Sequence, residues 1–143
     1  MSLERIRMME KSNYSDGGRK EFGFINEAND CTVRCVAFAY DISYSEAHAM
    51  LKTWGRKDGQ GCYGFANFMN KQKFIQSDKI GYNTEFKKYR KSLGSLQKFL
   101  KDNPVGTFVV SIKGHALCVK NGVIFDSFTN NPRSQIKYWW RIK

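Results

Sequence analysis

Acidic side chains are the first scarcity in this chain: 13 Asp and Glu stand against 24 Lys and Arg, for a formal net charge of +11. That excess is suited to an acidic partner, nucleic acid or an acidic protein, or to a solvated basic surface. Long apolar runs are missing too. None approaches the roughly 18 residues of a membrane span, and Met1 to Arg7 has no apolar stretch of the signal-peptide kind. The expectations are no membrane partner and a cytoplasmic location in the cell that expresses it, a phage host included. The four cysteines are then expected to be reduced thiols and not a disulfide scaffold. They contain no Cys-x-x-Cys pair, so no standard structural zinc pattern is present. No metal and no organic cofactor are predicted. Histidine is scarcer still: His48 and His115 are the only two. No repeat and no linker interrupts the chain, which reads as a single domain, 1–143.

What is present is enough for a core: 41% of residues are apolar and 15% aromatic. Residues 1–21 read as a polar segment that forms either a short helix over 3–11 or a loosely packed arm. From Cys31 the apolar positions Val33, Val36, Ala37 and Tyr40 recur at helical spacing. Ser43-Tyr44-Ser45-Glu46 is a capping box for a second helix over 44–54. Residues 55–64 read as a flexible loop, 65–71 as a short helix, and 95–101 as a further helix capped by Ser95. Strands are predicted over 107–112, 115–120, 123–128 and 136–142. Asn121-Gly122 marks a two-residue hairpin between the second and third. Helices first and an antiparallel meander after give an α+β domain.

Between these parts lies a basic segment. Residues 71–101 hold nine Lys or Arg against Asp78 and Glu85, with Tyr82, Phe86 and Tyr89 interleaved. Lys71, Lys73, Lys87, Lys88, Arg90 and Lys91 are the candidates for weak polyanion binding. The competing reading is a solvated face with its aromatics turned inward.

The chemistry concentrates at two places. Asn29-Asp30-Cys31 ends a polar stretch where an apolar helix begins, so the Cys31 thiol meets unpaired N–H groups and the positive end of a helix dipole. Gly114-His115-Ala116 opens a strand, and Asp126 lies on the next. With Asn121-Gly122 as the turn, Lys120 faces Val123 and Leu117 faces Asp126. His115 and Asp126 then share a face as diagonal neighbours, with Cβ atoms on the order of 7 Å apart.

Cysteine at a helix start, then histidine at a strand start, then an acid on the following strand resembles the papain-like cysteine peptidases. The likeness is nearest to small papain-like proteins of phages and plasmids, related to bacteriocin-processing peptidases. It covers about 22–54 and 104–142. The resemblance implies a papain-like fold, a peptide or protein substrate, and cleavage of peptide or isopeptide bonds through an acyl-enzyme. In that reading Cys31 is the nucleophile, His115 the base and Asp126 the group that orients the imidazole. The glutamine that stands ahead of the cysteine in the family is absent here. Asn29 takes its place as an oxyanion donor, or Asn29 and Asp30 merely cap the helix. Cys35 and His48 are read as structural, and Cys62 and Cys118 as bystanders to the chemistry. The alternative is a catalytically silent or acyltransferase-type protein that binds nucleic acid or an acidic partner through its basic face.

Overall fold

A computed structural model describes residues 2–24, 27–80, 82–83, 88–89 and 92–143. In chain order the elements are α1 (Leu3–Glu10), β1 (Ser12–Tyr14), α2 (Cys31–Tyr40), α3 (Tyr44–Thr53), α4 (Phe65–Asn70) and β2 (Gln76–Lys79). They continue with β3 (Tyr82–Asn83), β4 (Lys88–Tyr89), α5 (Leu96–Asp102), β5 (Thr107–Ile112), β6 (His115–Lys120), β7 (Val123–Asp126) and β8 (Ile136–Arg141). The class is α+β, with a six-stranded sheet in the order β1-β7-β6-β5-β8-β2 and a separate β3/β4 pair.

The antiparallel centre of that sheet is built by local turns. Asn121 and Gly122 both have positive φ, 49° and 78°, which a two-residue hairpin of this hand requires. They place Lys120 opposite Val123 and Cys118 opposite Phe125. Lys113 and Gly114 join β5 to β6 in the same compact way, with Ile112 opposite His115.

The two edges depart from a pure meander. β1 joins β7 in parallel, Tyr14 opposite Asp126, and β2 joins β8 antiparallel. Both are short and polar, and only their main-chain partners make them strands. Residues 1–21 are therefore not a loosely packed arm: Met8 is buried in the core, and Ser15 N–H donates to the Asp126 carbonyl at 2.9 Å. The third predicted strand also stops at Asp126 instead of 128, because the Asp126 side chain bonds the Ser127 N–H at 2.7 Å and turns the chain.

One sheet face packs on α2 and α3 through Val33, Val36, Ala47, Leu51, Val109, Ala116, Cys118 and Trp140. The other face packs on α1 and α5 through Met8, Leu96, Phe99, Leu100, Phe108, Val110, Leu117 and Ile124. Helix α3 starts as its capping residue demands: Ser43 Oγ accepts the Glu46 N–H at 3.0 Å. Helix α2 ends at Asp41, which is left-handed (φ 53°), with Ile42 N–H returning to the Ala37 carbonyl. Among the described residues no helix is long and apolar enough to cross a membrane.

Candidate active site

The start of α2 is shaped by one unusual residue. Asn29 has φ 51°, a left-handed conformation that asparagine tolerates better than most side chains. It turns the chain so that Asp30 precedes the helix and Cys31 is its first residue. Asp30 makes no side-chain cap, contrary to the capping alternative. Its carboxylate points inward and is almost fully buried. The first-turn N–H groups of α2 are thus left without a capping side chain, beside the Cys31 sulfur.

His115 begins β6 and Asp126 ends β7, at the same end of the sheet. The imidazole Nε2 lies 2.5 Å from Asp126 Oδ2. Cys31 stands near enough to the same imidazole, and to the Ala116 amide, for both to act on its titration. Asp126 is buried and fully engaged. Oδ1 accepts from Ser127 N–H at 2.7 Å and Arg34 Nη2 at 3.3 Å, and Oδ2 also accepts from Asn130 Nδ2 at 2.9 Å.

The electrostatics follow from this chain of contacts. Burial pushes the Cys31 thiol up, but the His115 bond, the Ala116 amide and the His115 and Arg34 charges outweigh it, so its pKa falls below the ordinary thiol value. Burial pulls His115 down, yet Asp126 and Cys31 raise it to about 9. Burial also opposes ionisation of Asp126, but His115, Asn130 and Ser127 hold its carboxyl below the usual range. The other thiols go the opposite way. Burial drives Cys35 well above an ordinary thiol and Cys118 to about 12, and raises Cys62 as well.

Cys31 and His115 open on a cavity of about 670 Å³, also lined by Asn29, Gly61, Tyr63 and Phe128. Phe128 lies against the His115 ring with centroids 4.9 Å apart. Gly114 has φ 70° and only open space where a Cβ would project, so the cavity stays open beside the imidazole. Asn29 reaches this cavity but spends one amide hydrogen on the Gly59 carbonyl at 3.0 Å.

Two groups were not picked out from the sequence. Arg34, one turn after Cys31, is buried between Asp30, Asp126 and the core. A charge in a helix that is otherwise buried, with an Asp four residues earlier, is the signal that could have found it. Glu27 is the second. It accepts from Arg56 Nη2 at 2.7 Å, Gly59 N–H at 2.7 Å and pairs with His48 Nε2 at 2.8 Å. Residues 55–64 are accordingly pinned to the segment before α2 and are not a free loop.

Glu27, His48 and Asp58 also form the one three-ligand cluster found among the described residues, with ligand atoms within 4.8 Å. The Arg56 cation already occupies Glu27, so this cluster is an ion-pair clamp and a poor cation site. Of the predicted polyanion residues, Lys71 and Lys73 are exposed after α4 and Lys88 lies in β4. Lys87, Arg90 and Lys91 lie outside the described residues.

No protein-family model, curated protein or solved structure matches the chain.

Proposed function

We propose that the chain is a papain-like thiol hydrolase, a cysteine peptidase that cleaves peptide or isopeptide bonds through Cys31, His115 and Asp126. One observation carries the reading: the His115 imidazole sits between the buried Asp126 carboxylate, 2.5 Å away, and the Cys31 sulfur at the mouth of a cavity.

The chemistry follows in two halves. The Cys31 thiolate attacks the scissile carbonyl carbon, and the carbonyl electrons move onto oxygen. In this reading the Cys31 N–H and the second amide hydrogen of Asn29 donate to that charge. The oxyanion collapses, the C–N bond breaks, and the departing amine takes the proton carried by the His115 imidazolium. Water then adds to the thioester with neutral His115 accepting its proton, and the acid leaves as the thiolate returns. An amine in place of water would make the same site an acyltransferase. Asp126 keeps the proton on Nε2 and supports the charged ring.

The test uses p-nitrophenyl acetate as a generic acyl donor, with intact-mass and peptide mapping of the product. Acetylation of Cys31 followed by turnover is expected in the wild type. Cys31→Ala should abolish it, and Asp126→Asn should keep the fold but lose about 10²-fold or more in rate. A folded wild-type chain that never acylates at Cys31 leaves the silent, polyanion-binding alternative in its place.

A further inference from the structure

The bonds around Asp126 differ in what they join. Ser127 and Asn130 belong to the same turn as Asp126, so they shape that turn without fixing where it stands. Among the described residues, only His115 and Arg34 tie the carboxylate to other elements. Arg34 belongs to α2, the helix that begins at Cys31, and its Nη2 crosses from that helix to the end of β7, 3.3 Å from Asp126 Oδ1. Its Nη1 is bound by Asp30 Oδ1 on the preceding turn. Asp30 is held in turn by the Tyr44 hydroxyl of α3 at 2.8 Å and by Arg19 Nη1 at 3.4 Å. The guanidinium is buried, and its Nε has no partner, so both its polar contacts are spent on these two carboxylates.

Resting on the thiol-hydrolase reading for what the geometry serves, we infer that Arg34, anchored by Asp30, is the positioning residue that sets the acid–imidazole pair against the nucleophile's helix. A planar fork can bridge two carboxylates at fixed separation, which a point ammonium cannot. Because Arg34 and Cys31 share one helix, the bridge fixes Asp126, and through it His115, relative to the sulfur. A buried ion pair contributes little net stability compared with apolar packing, so its use here lies in alignment.

The two-histidine composition supplies a clean readout. In the full chain labelled with 15N-histidine, His115 reports the site, and His48, held by Glu27 and stacked on Tyr44, reports whether the change spreads into α3. Removing Arg34 alone strands a buried carboxylate, so the deciding variant is Asp30→Asn with Arg34→Gln, which removes both charges together. In that variant the His115 ring signals should move toward those of a free imidazole while those of His48 stay. Alkylation of Cys31 by iodoacetamide at neutral pH should fall about three- to tenfold, the equivalent of up to one pKa unit. Arg34→Lys, keeping the charge without the fork, should recover part of the alkylation rate but not the wild-type His115 signals. Unchanged His115 signals and alkylation would overturn the inference, and so would an equal disturbance of His48 and His115. A wild-type chain that alkylates at Cys31 but turns over no ester removes the hydrolase reading and leaves the alignment result standing.

Discussion

His115 is held by two groups that pull its titration the same way. Asp126 and Cys31 together raise it from 6.5 to about 9, against the opposing effect of burial. The same contacts lower Cys31, so the two titrate as a thiolate–imidazolium pair. The pair exists above the lowered thiol pKa and is lost as pH rises through about 9. Hydrolysis should therefore be bell-shaped, with its alkaline limb near pH 9, where the proton needed by the leaving amine disappears. Stability has the matching sign. A group whose folded pKa is raised contributes fully below its unfolded value of about 6.5, and that contribution is lost as pH climbs through 9. Glu27 behaves in the opposite sense. Burial opposes its charge, but Arg56, Gly59 and His48 lower it from 4.5 to about 2, so its contribution is present above pH 4.5 and fades toward pH 2. The measurement is the pH profile of Cys31 alkylation and ester turnover, with the other thiols as internal references. A Cys31 that titrates like Cys62 would sink the ion-pair account.

At the scale of elements, what local chemistry dictates could be read in advance and what pairing dictates could not. Helix α2 begins at Cys31, α3 is capped by Ser43, and β6 and β7 are joined at Asn121-Gly122, all as their residues require. The hairpin register followed from the turn alone, and with it the juxtaposition of His115 and Asp126. β1, with the sequence Ser-Asn-Tyr, and β2, with Gln-Ser-Asp-Lys, carry no alternation and few β-formers. They are strands because β7 and β8 offer free edges, a fact that no window of sequence contains. Arg34 escaped notice for a related reason: its two partners lie 4 and 92 residues away, and only the first is visible in a helical repeat. Ser43 gives an element-scale prediction that is separate from the site. Ser43→Ala removes the acceptor of the Glu46 N–H and should cost about 1 kcal/mol in denaturant unfolding. Cys31 alkylation should stay at the wild-type rate. A cost near zero would show that the cap bond contributes nothing beyond water.

For the whole molecule, the site depends on segments far apart in sequence that meet only after folding. Met8 of α1 is buried among Leu96, Leu100, Leu117 and Ile124, and the following strand β1 lies along β7 up to Asp126. Beyond it, the Tyr14 hydroxyl meets Thr129 Oγ1 at 2.5 Å, strapping the turn that carries Ser127 and Asn130. The N-terminal segment through Tyr14 thus closes one core face and covers the outer side of β7, the strand that ends at Asp126. Deleting them should do two separable things. Stability should fall by several kcal/mol, since loss of the Met8 side chain alone is a core truncation of about 2–5 kcal/mol. Ester turnover in the folded fraction should also fall, because the end of β7 loses its β1 partner, Tyr14 opposite Asp126, and the strap across its turn. Met8→Ala separates the effects: it should reproduce a large part of the lost stability, seen in the denaturant midpoint, while Cys31 acylation per folded molecule stays near wild type. If the truncated chain unfolds at the wild-type midpoint and turns over ester at the wild-type rate, the N-terminal segment is not part of the site's support.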